Sequence, residues 1–450
     1  MLSCNYLYLA KFQLFCPVSI RIMFNVVYIF RCAFDIVPVE TNFQNKSPVL
    51  YLENCLGLES WCVKHVYMYC YSQIMDKYFA KPKRKALKVS AANADRLVSL
   101  INVTLLLNPE LNSLWNKRRE LVLKAFLEKS SELQFTKLVL SRKPKCSDAF
   151  AYRRWFLDLI FTDESMHNDD IQNLVDEELH VCELTSDSSP NNYHSWNHRM
   201  WFLNKLKTVK QFDINLKYIE EYEFSEKWMS KHISDYTCFH YRQFCIKNIF
   251  CIDNSSWCKF SNIVGINFRK SLVEIVASNI PQDVTIQASQ EDLLSYTEDN
   301  LVDMLLCGSF KNCNCIVDNV LICRKLEILF HELFITNELM IFYKYHETLW
   351  YHRRFVIHEI IAIMYEYFGV VRQNSALVKK SCKKCNSDDL REKQPKIVRY
   401  DSNRIYFSVL FNVLICHEKK FSEERKIDGD NYADRHVKYM KFVEGLNNVM

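Results

Sequence analysis

The sequence predicts an all-α protein assembled from helical hairpin repeats, and three observations carry that prediction. A short phrase recurs five times: an aromatic, two residues, an arginine and, in most copies, a bulky apolar residue two places on. The copies are Trp115-Asn-Lys-Arg118-Arg-Glu120, Phe150-Ala-Tyr-Arg153-Arg-Trp155, Trp196-Asn-His-Arg199-Met-Trp201, Phe239-His-Tyr-Arg242-Gln-Phe244 and Trp350-Tyr-His-Arg353-Arg-Phe355. Their aromatics lie 35, 46, 43 and 111 residues apart. Three intervals each suit one two-helix unit, and the fourth holds an insertion. Composition agrees, because 6 Gly and 9 Pro in 450 residues are too few for the many tight turns of an all-β fold. The third observation is helical periodicity ahead of the phrases, described next.

Before Trp115, the residues Leu97, Leu100, Ile101 and Leu105 fall on one helical face. Before Trp196, Ile171, Leu174, Val175, Leu179 and Cys182 do the same over three turns. Breakers separate first helices from second ones at Asn108-Pro109, Lys143-Pro144-Lys145 and Ser186-Asp-Ser-Ser-Pro190-Asn-Asn192. Proline cannot continue a helix, whereas Ser, Asp and Asn cap the next one. Each repeat therefore reads helix, short turn, helix, with the phrase in the second helix. There the aromatic and the arginine share a face one turn apart, which suits packing and pairing across the seam between repeats. Trp115, Arg118, Phe150, Arg153, Trp196, Arg199, Phe239, Arg242, Trp350 and Arg353 are accordingly expected to be structural.

The chain divides into an atypical apolar segment at 1–33, hairpins 1–4 with preceding helices at 34–249, an insertion at 250–328, and a fifth repeat, linker and further repeat at 329–450. In the first segment Lys11, Arg21 and Arg31 interrupt the apolar run, so it matches neither a membrane span nor a signal peptide. Asp253-Asn-Ser-Ser256 and Glu291-Asp292 give the insertion the character of a long surface loop. The C-terminal copy is expected at Tyr432-Ala-Asp-Arg435-His-Val437.

Charge and cysteine content narrow the function. The 58 basic and 53 acidic residues are interspersed, without the basic stripe of a nucleic-acid binder. The run Lys81-Pro-Lys83-Arg84-Lys85 reads as a solvated linker. Nineteen cysteines without framework spacing suit reduced thiols in a cytoplasmic protein. Cys382 and Cys385 have the spacing of a metal-ligand pair, but Cys416 and His417 are adjacent, which does not complete a tetrahedron. Cys307, Cys313, Cys315 and Cys323 form no better set. No metal ligand is assigned.

The segment Pro190-Asn-Asn-Tyr193-His-Ser-Trp196-Asn-His-Arg199-Met-Trp201 closely resembles the repeat of protein prenyltransferase α subunits, and the other copies fit its degenerate form. Ser47-Pro-Val-Leu, Glu53-Asn-Cys-Leu-Gly57-Leu-Glu-Ser-Trp61-Cys-Val-Lys64 and His346-Glu-Thr-Leu-Trp350-Tyr-His-Arg-Arg354 point to a divergent member. The resemblance covers about residues 34–249 and 329–365. It implies a right-handed superhelical crescent of hairpins curled around a β subunit that holds zinc and the prenyl diphosphate, this chain binding neither cofactor itself. It further implies a geranylgeranyltransferase of a third type, with a Rab geranylgeranyltransferase β subunit as partner and no activity of the chain alone. The implied substrate is a protein with a cysteine near its C-terminus, such as an already farnesylated SNARE.

By the same resemblance, Lys145 matches a diphosphate-facing lysine, and Tyr193 and His194 match a second segment brought near it. Ser147 stands where the family has a tyrosine. Lys145 would meet the leaving group with positive charge, and Tyr193 and His194 would donate hydrogen bonds. The competing expectation is a non-catalytic helical-repeat scaffold that binds a protein in its concave groove.

Overall fold

The computed structural model describes residues 33–39, 48–53, 55–76, 91–162, 167–210, 212–252, 256, 257, 260, 319–382 and 409–449. Among them run three strands, β1 (Ala33–Val37), β2 (Val49–Leu52) and β3 (Cys55–Glu59), followed by α1 (Ser60–Ile74). Twelve further helices pair as hairpins. They are α2 (Ala91–Leu107) with α3 (Asn112–Leu123), α4 (Lys129–Arg142) with α5 (Ser147–Ile160), and α6 (Asn168–Asp187) with α7 (Tyr193–Leu206). Then come α8 (Ile214–Lys231) with α9 (Tyr236–Ile249), α10 (Asn319–Phe342) with α11 (Glu347–Cys382), and α12 (Val409–Ile427) with α13 (Asn431–Val449). The chain forms two compact units, Met1–Ile214 and Asn215–Met450.

Within each unit the second helices lie side by side, α3 on α5 and α5 on α7 in the first, α9 on α11 and α11 on α13 in the second. In the first unit α2, α4 and α6 form a matching outer row. The apolar periodicity explains this layering. Leu97, Ile101 and Leu105 are fully buried, as are Trp115, Phe150 and Tyr152, within one continuous core. A core of this kind grows by adding hairpins rather than by enlarging a centre.

Three findings correct the sequence reading. Ala33–Val37, Val49–Leu52 and Cys55–Glu59 form a three-stranded sheet in the order β1-β3-β2, with β1 parallel and β2 antiparallel to β3. Phe34 and Leu58 are buried, and the Phe34 amide donates to Ser141 Oγ at 3.1 Å, which lays the sheet on α4. A Cβ on Gly57 would stand 3.1 Å from Val37 and 3.2 Å from Leu50, so the central strand is tight there and a larger residue would push those side chains by a few tenths of an ångström. The insertion also differs from a surface loop at both ends. Trp257 and Phe260 are buried, with Phe260 edge-on to Tyr222 at 5.5 Å, and α10 already begins at Asn319.

The last correction concerns the C-terminal copy, whose register is shifted. Asp235 caps α9, with Tyr241 and Arg242 six and seven residues on; Asp430 holds the same place before α13, followed by His436 and Val437. Arg435 is instead exposed and pairs with Glu347 at 2.7 Å. Residues 1–32 and most of 250–328, including Cys307, Cys313 and Cys315, lie outside the described residues.

Candidate functional site

The phrase arginines are buried, and each guanidinium that reaches forward finds a carboxylate on the first helix of the following hairpin. Arg118 Nε lies 2.6 Å from Glu132, Arg153 Nε 2.7 Å from Glu178, Arg242 Nη2 2.7 Å from Glu332, and Arg353 Nη2 2.7 Å from Glu418. Each of these carboxylates takes a second donor from its own hairpin. Tyr152 donates to Glu132, His198 to Glu178, His352 to Glu332 and His436 to Glu418, at 2.5–2.8 Å. Tyr241 donates to Glu221 in the same way. The remaining guanidinium donors turn back to their own first helix, as Arg153 does to Leu133 O and Thr136, and Arg199 to Leu179 O. The nodes of Arg118, Arg153, Arg242 and Arg353 thus each join four helices.

At Glu178, Glu332 and Glu418 burial alone would raise the carboxyl pKa, but arginine and histidine on the same carboxylate outweigh it. Glu178 is drawn down to about 2, and Glu332 and Glu418 fall well below the usual range. Burial pushes the His198 and His436 imidazoles down, against the pull of their glutamates. At His198 geometry explains the neutral form: Nε2 serves Glu178, while Nδ1 accepts from Arg154 Nε at 3.2 Å and so carries no proton. The aromatic-arginine phrase is therefore assigned by geometry to the seams between hairpins.

The three expected site residues come together at the turn ends of the second and third hairpins. Lys145 Nζ donates to Pro190 O at 2.9 Å. Asn192 ties the same two turns, its amide nitrogen donating to Pro144 O at 2.7 Å and to Thr185 O at 3.0 Å. Asn192 also caps α7, accepting from the Ser195 amide, and Asn191 takes the left-handed conformation at φ 55° that asparagine tolerates. Capping fixes Tyr193 and His194 in the first turn of α7, Tyr193 being 56% exposed with its ring 5.8 Å from His194. Burial, then Arg154, then Lys145 lower the His194 pKa, so its imidazole is neutral at pH 7. Ser147 opens α5 beside them. The rim can offer a cation, a phenol and an imidazole to an anionic group at a helix N-terminus. Between α9 and α11 lies a cavity of about 330 Å³ with Tyr236 and Tyr351 on its walls.

Among the described residues no three His, Cys, Asp or Glu side chains gather as a metal-binding group. His417 instead stands 3.3 Å from Arg353, and burial holds its pKa near 4. Sequence reading missed the five glutamates and Arg154. The glutamates carry a signal, since each of the first four lies 20 residues before the tyrosine or histidine that shares it.

A model of the protein prenyltransferase alpha subunit repeat matches residues 130–160, 175–206 and 218–249, which are the second, third and fourth hairpins. The chain carries protein prenyltransferase α-subunit repeats. It is 28% identical over 344 residues to protein prenyltransferase alpha subunit repeat-containing protein 1-B of Xenopus laevis, covering 72% of this chain and 68% of the relative. The Homo sapiens repeat-containing protein 1 is 28% identical over 335 residues, 72% of each chain. Geranylgeranyl transferase type-2 subunit alpha of Saccharomyces cerevisiae is 25% identical over 148 residues, 32% of this chain and 42% of the relative. The family's repeat thus coincides with the unit whose second helix carries the phrase.

Proposed function

We propose that this chain is the α-type subunit of a heterodimeric protein prenyltransferase, paired with a β subunit of the Rab geranylgeranyltransferase type in the cytoplasm. The observation that carries the reading is the juxtaposition of Lys145, Tyr193 and His194 on turns of family repeats, where an anionic leaving group meets positive charge and hydrogen-bond donors. The reaction joins a substrate cysteine sulfur to C1 of the geranylgeranyl group as the C1–O bond breaks, and the diphosphate departs with the electron pair. Zinc and prenyl diphosphate reside on the β subunit, where the metal supplies thiolate at neutral pH. The substrate is a protein with a cysteine near its C-terminus, such as a SNARE that already carries one lipid, because a single chain anchors only marginally.

Co-expression with the β subunit tests this reading. The expected result is a stable heterodimer that transfers geranylgeranyl to such a protein, while the isolated chain is inactive. Lys145→Ala and Tyr193→Phe should keep the heterodimer and lower single-turnover transfer by up to roughly 10²-fold, the scale of losing one donor to developing charge. A heterodimer whose transfer rate ignores both substitutions would make the chain a scaffold instead.

A further inference from the structure

The doublet Arg153-Arg154 splits between two tasks. Arg153 is buried at the seam with Glu178, and Arg154, about 100° further round α5, reaches across to His198 and Trp201 of α7. Its Nε donates to His198 Nδ1 at 3.2 Å, and its guanidinium carbon lies 5.7 Å from the Trp201 ring centroid. His198 is itself held by Glu178, and Glu178 by Arg153, so the stem of Arg154 is fixed through three buried groups. That Nε bond is the one hydrogen bond Arg154 makes among the described residues, which leaves both terminal nitrogens without a partner. Asp158, one turn further along α5, is occupied by Lys205 at 2.7 Å. Burial lowers the Arg154 pKa, the mark of a guanidinium partly stripped of water with no carboxylate in return.

Place matters as much as partnership. Arg154 follows Ser147 by seven residues, two turns along the same face of α5. Its charge acts on His194 more strongly than that of Lys145 does. Arg119 and Arg354 occupy the equivalent position in the first and fifth hairpins, but their Nε atoms are buried without a hydrogen-bond partner. The anchored form therefore falls beside Lys145, Tyr193 and His194.

We propose that Arg154 is a further ligand-binding residue of this rim, presenting its two terminal nitrogens as a fork to the phosphoryl oxygens of a diphosphate and supplying the donor that Ser147 is too short to give. A planar guanidinium with a fixed stem binds two such oxygens at little entropic cost. The inference rests on the function proposed above for the identity of the diphosphate, and its tests separate the two.

On the full-length chain alone, inorganic pyrophosphate is titrated against wild type, Arg154→Lys and Arg154→Met, with the His194 imidazole followed by NMR. Arg154→Met should weaken binding roughly 10- to 100-fold, the worth of hydrogen bonds to a charged group. Arg154→Lys should recover part of it, and the His194 pKa should rise once the neighbouring charge is gone. In the heterodimer, Arg154→Met should raise KM for geranylgeranyl diphosphate more than it lowers kcat. Equal pyrophosphate affinity in wild type and Arg154→Met, with the His194 pKa shifted, would overturn the proposal, since the charge would then be near the rim without serving it. An unchanged KM in an active heterodimer would do the same while leaving the prenyltransferase reading intact. An inactive heterodimer whose free chain still binds pyrophosphate through Arg154 would sink the function and keep the site.

Discussion

The chemistry of a single node decides how this chain tolerates change. Arg353, Glu418 and His436 are all fully buried or nearly so, and a buried ion pair contributes little net energy until one member is removed. Glu178→Ala or Glu418→Ala should therefore cost about 3–5 kcal/mol in urea denaturation, because an uncompensated guanidinium remains. Arg435→Ala, which breaks an exposed pair with Glu347, should cost under about 1 kcal/mol. The nodes also set the acid response. His198, His417 and His436 are held neutral when folded and take up protons more readily when unfolded, so they stabilise above pH 6.5 and that stability is lost as pH falls below it. Glu178 is ionised down to about pH 2 when folded, so its share is present above about 4.5 and lost as pH falls from there towards 2. The melting temperature should accordingly fall in two stages on acidification, and Glu178→Gln should diminish the second.

Among elements, the capped second helices are the parts that place functional side chains. Asp235 accepts from the Thr237 and Cys238 amides and from Trp228 Nε1, joining the cap of α9 to α8. Asp235→Ala should lower stability by about 1–2 kcal/mol, read from the shift in urea midpoint at constant m. Caps of this kind, with Pro and Asn before an aromatic, made the hairpins and their turns legible in the sequence. The partners of the arginines were not legible, since Glu178 sits in a helix rich in exposed acids and only its place on the inner face distinguishes it. Arg154 was hidden for a similar reason, as one of two adjacent arginines whose faces separate only once α5 is built. The strands at 33–59 are four or five residues long, too short for alternation to announce them. The C-terminal copy was displaced because spacing between Tyr432 and Arg435 imitates the phrase, whereas the cap at Asp430 sets the true register.

For the molecule as a whole, stability is shared between neighbouring hairpins rather than held in one centre. Hydrogen exchange on Glu178→Gln should show lost protection concentrated in α4–α7, with the amides of α12 and α13 little changed. Even loss along the chain would mean a single cooperative unit instead. No helix among the described residues is long and apolar enough to cross a membrane. The nodes also have a direction, for the arginine precedes the glutamate of the next hairpin by 14 residues at Arg118, 25 at Arg153, 90 at Arg242 and 65 at Arg353, and Arg242 also reaches back to a glutamate, Glu226, at 3.2 Å. On a ribosome Arg118, Arg153 and Arg353 therefore emerge ahead of the counter-ions they pair with when folded. Of these three, Arg353 waits longest, for the 65 residues to Glu418, whereas Arg242 has Glu226 behind it while Glu332 is still to come. In the hairpin of α12 and α13, Val437 stands in the arginine's place, so this unit sets no cation waiting.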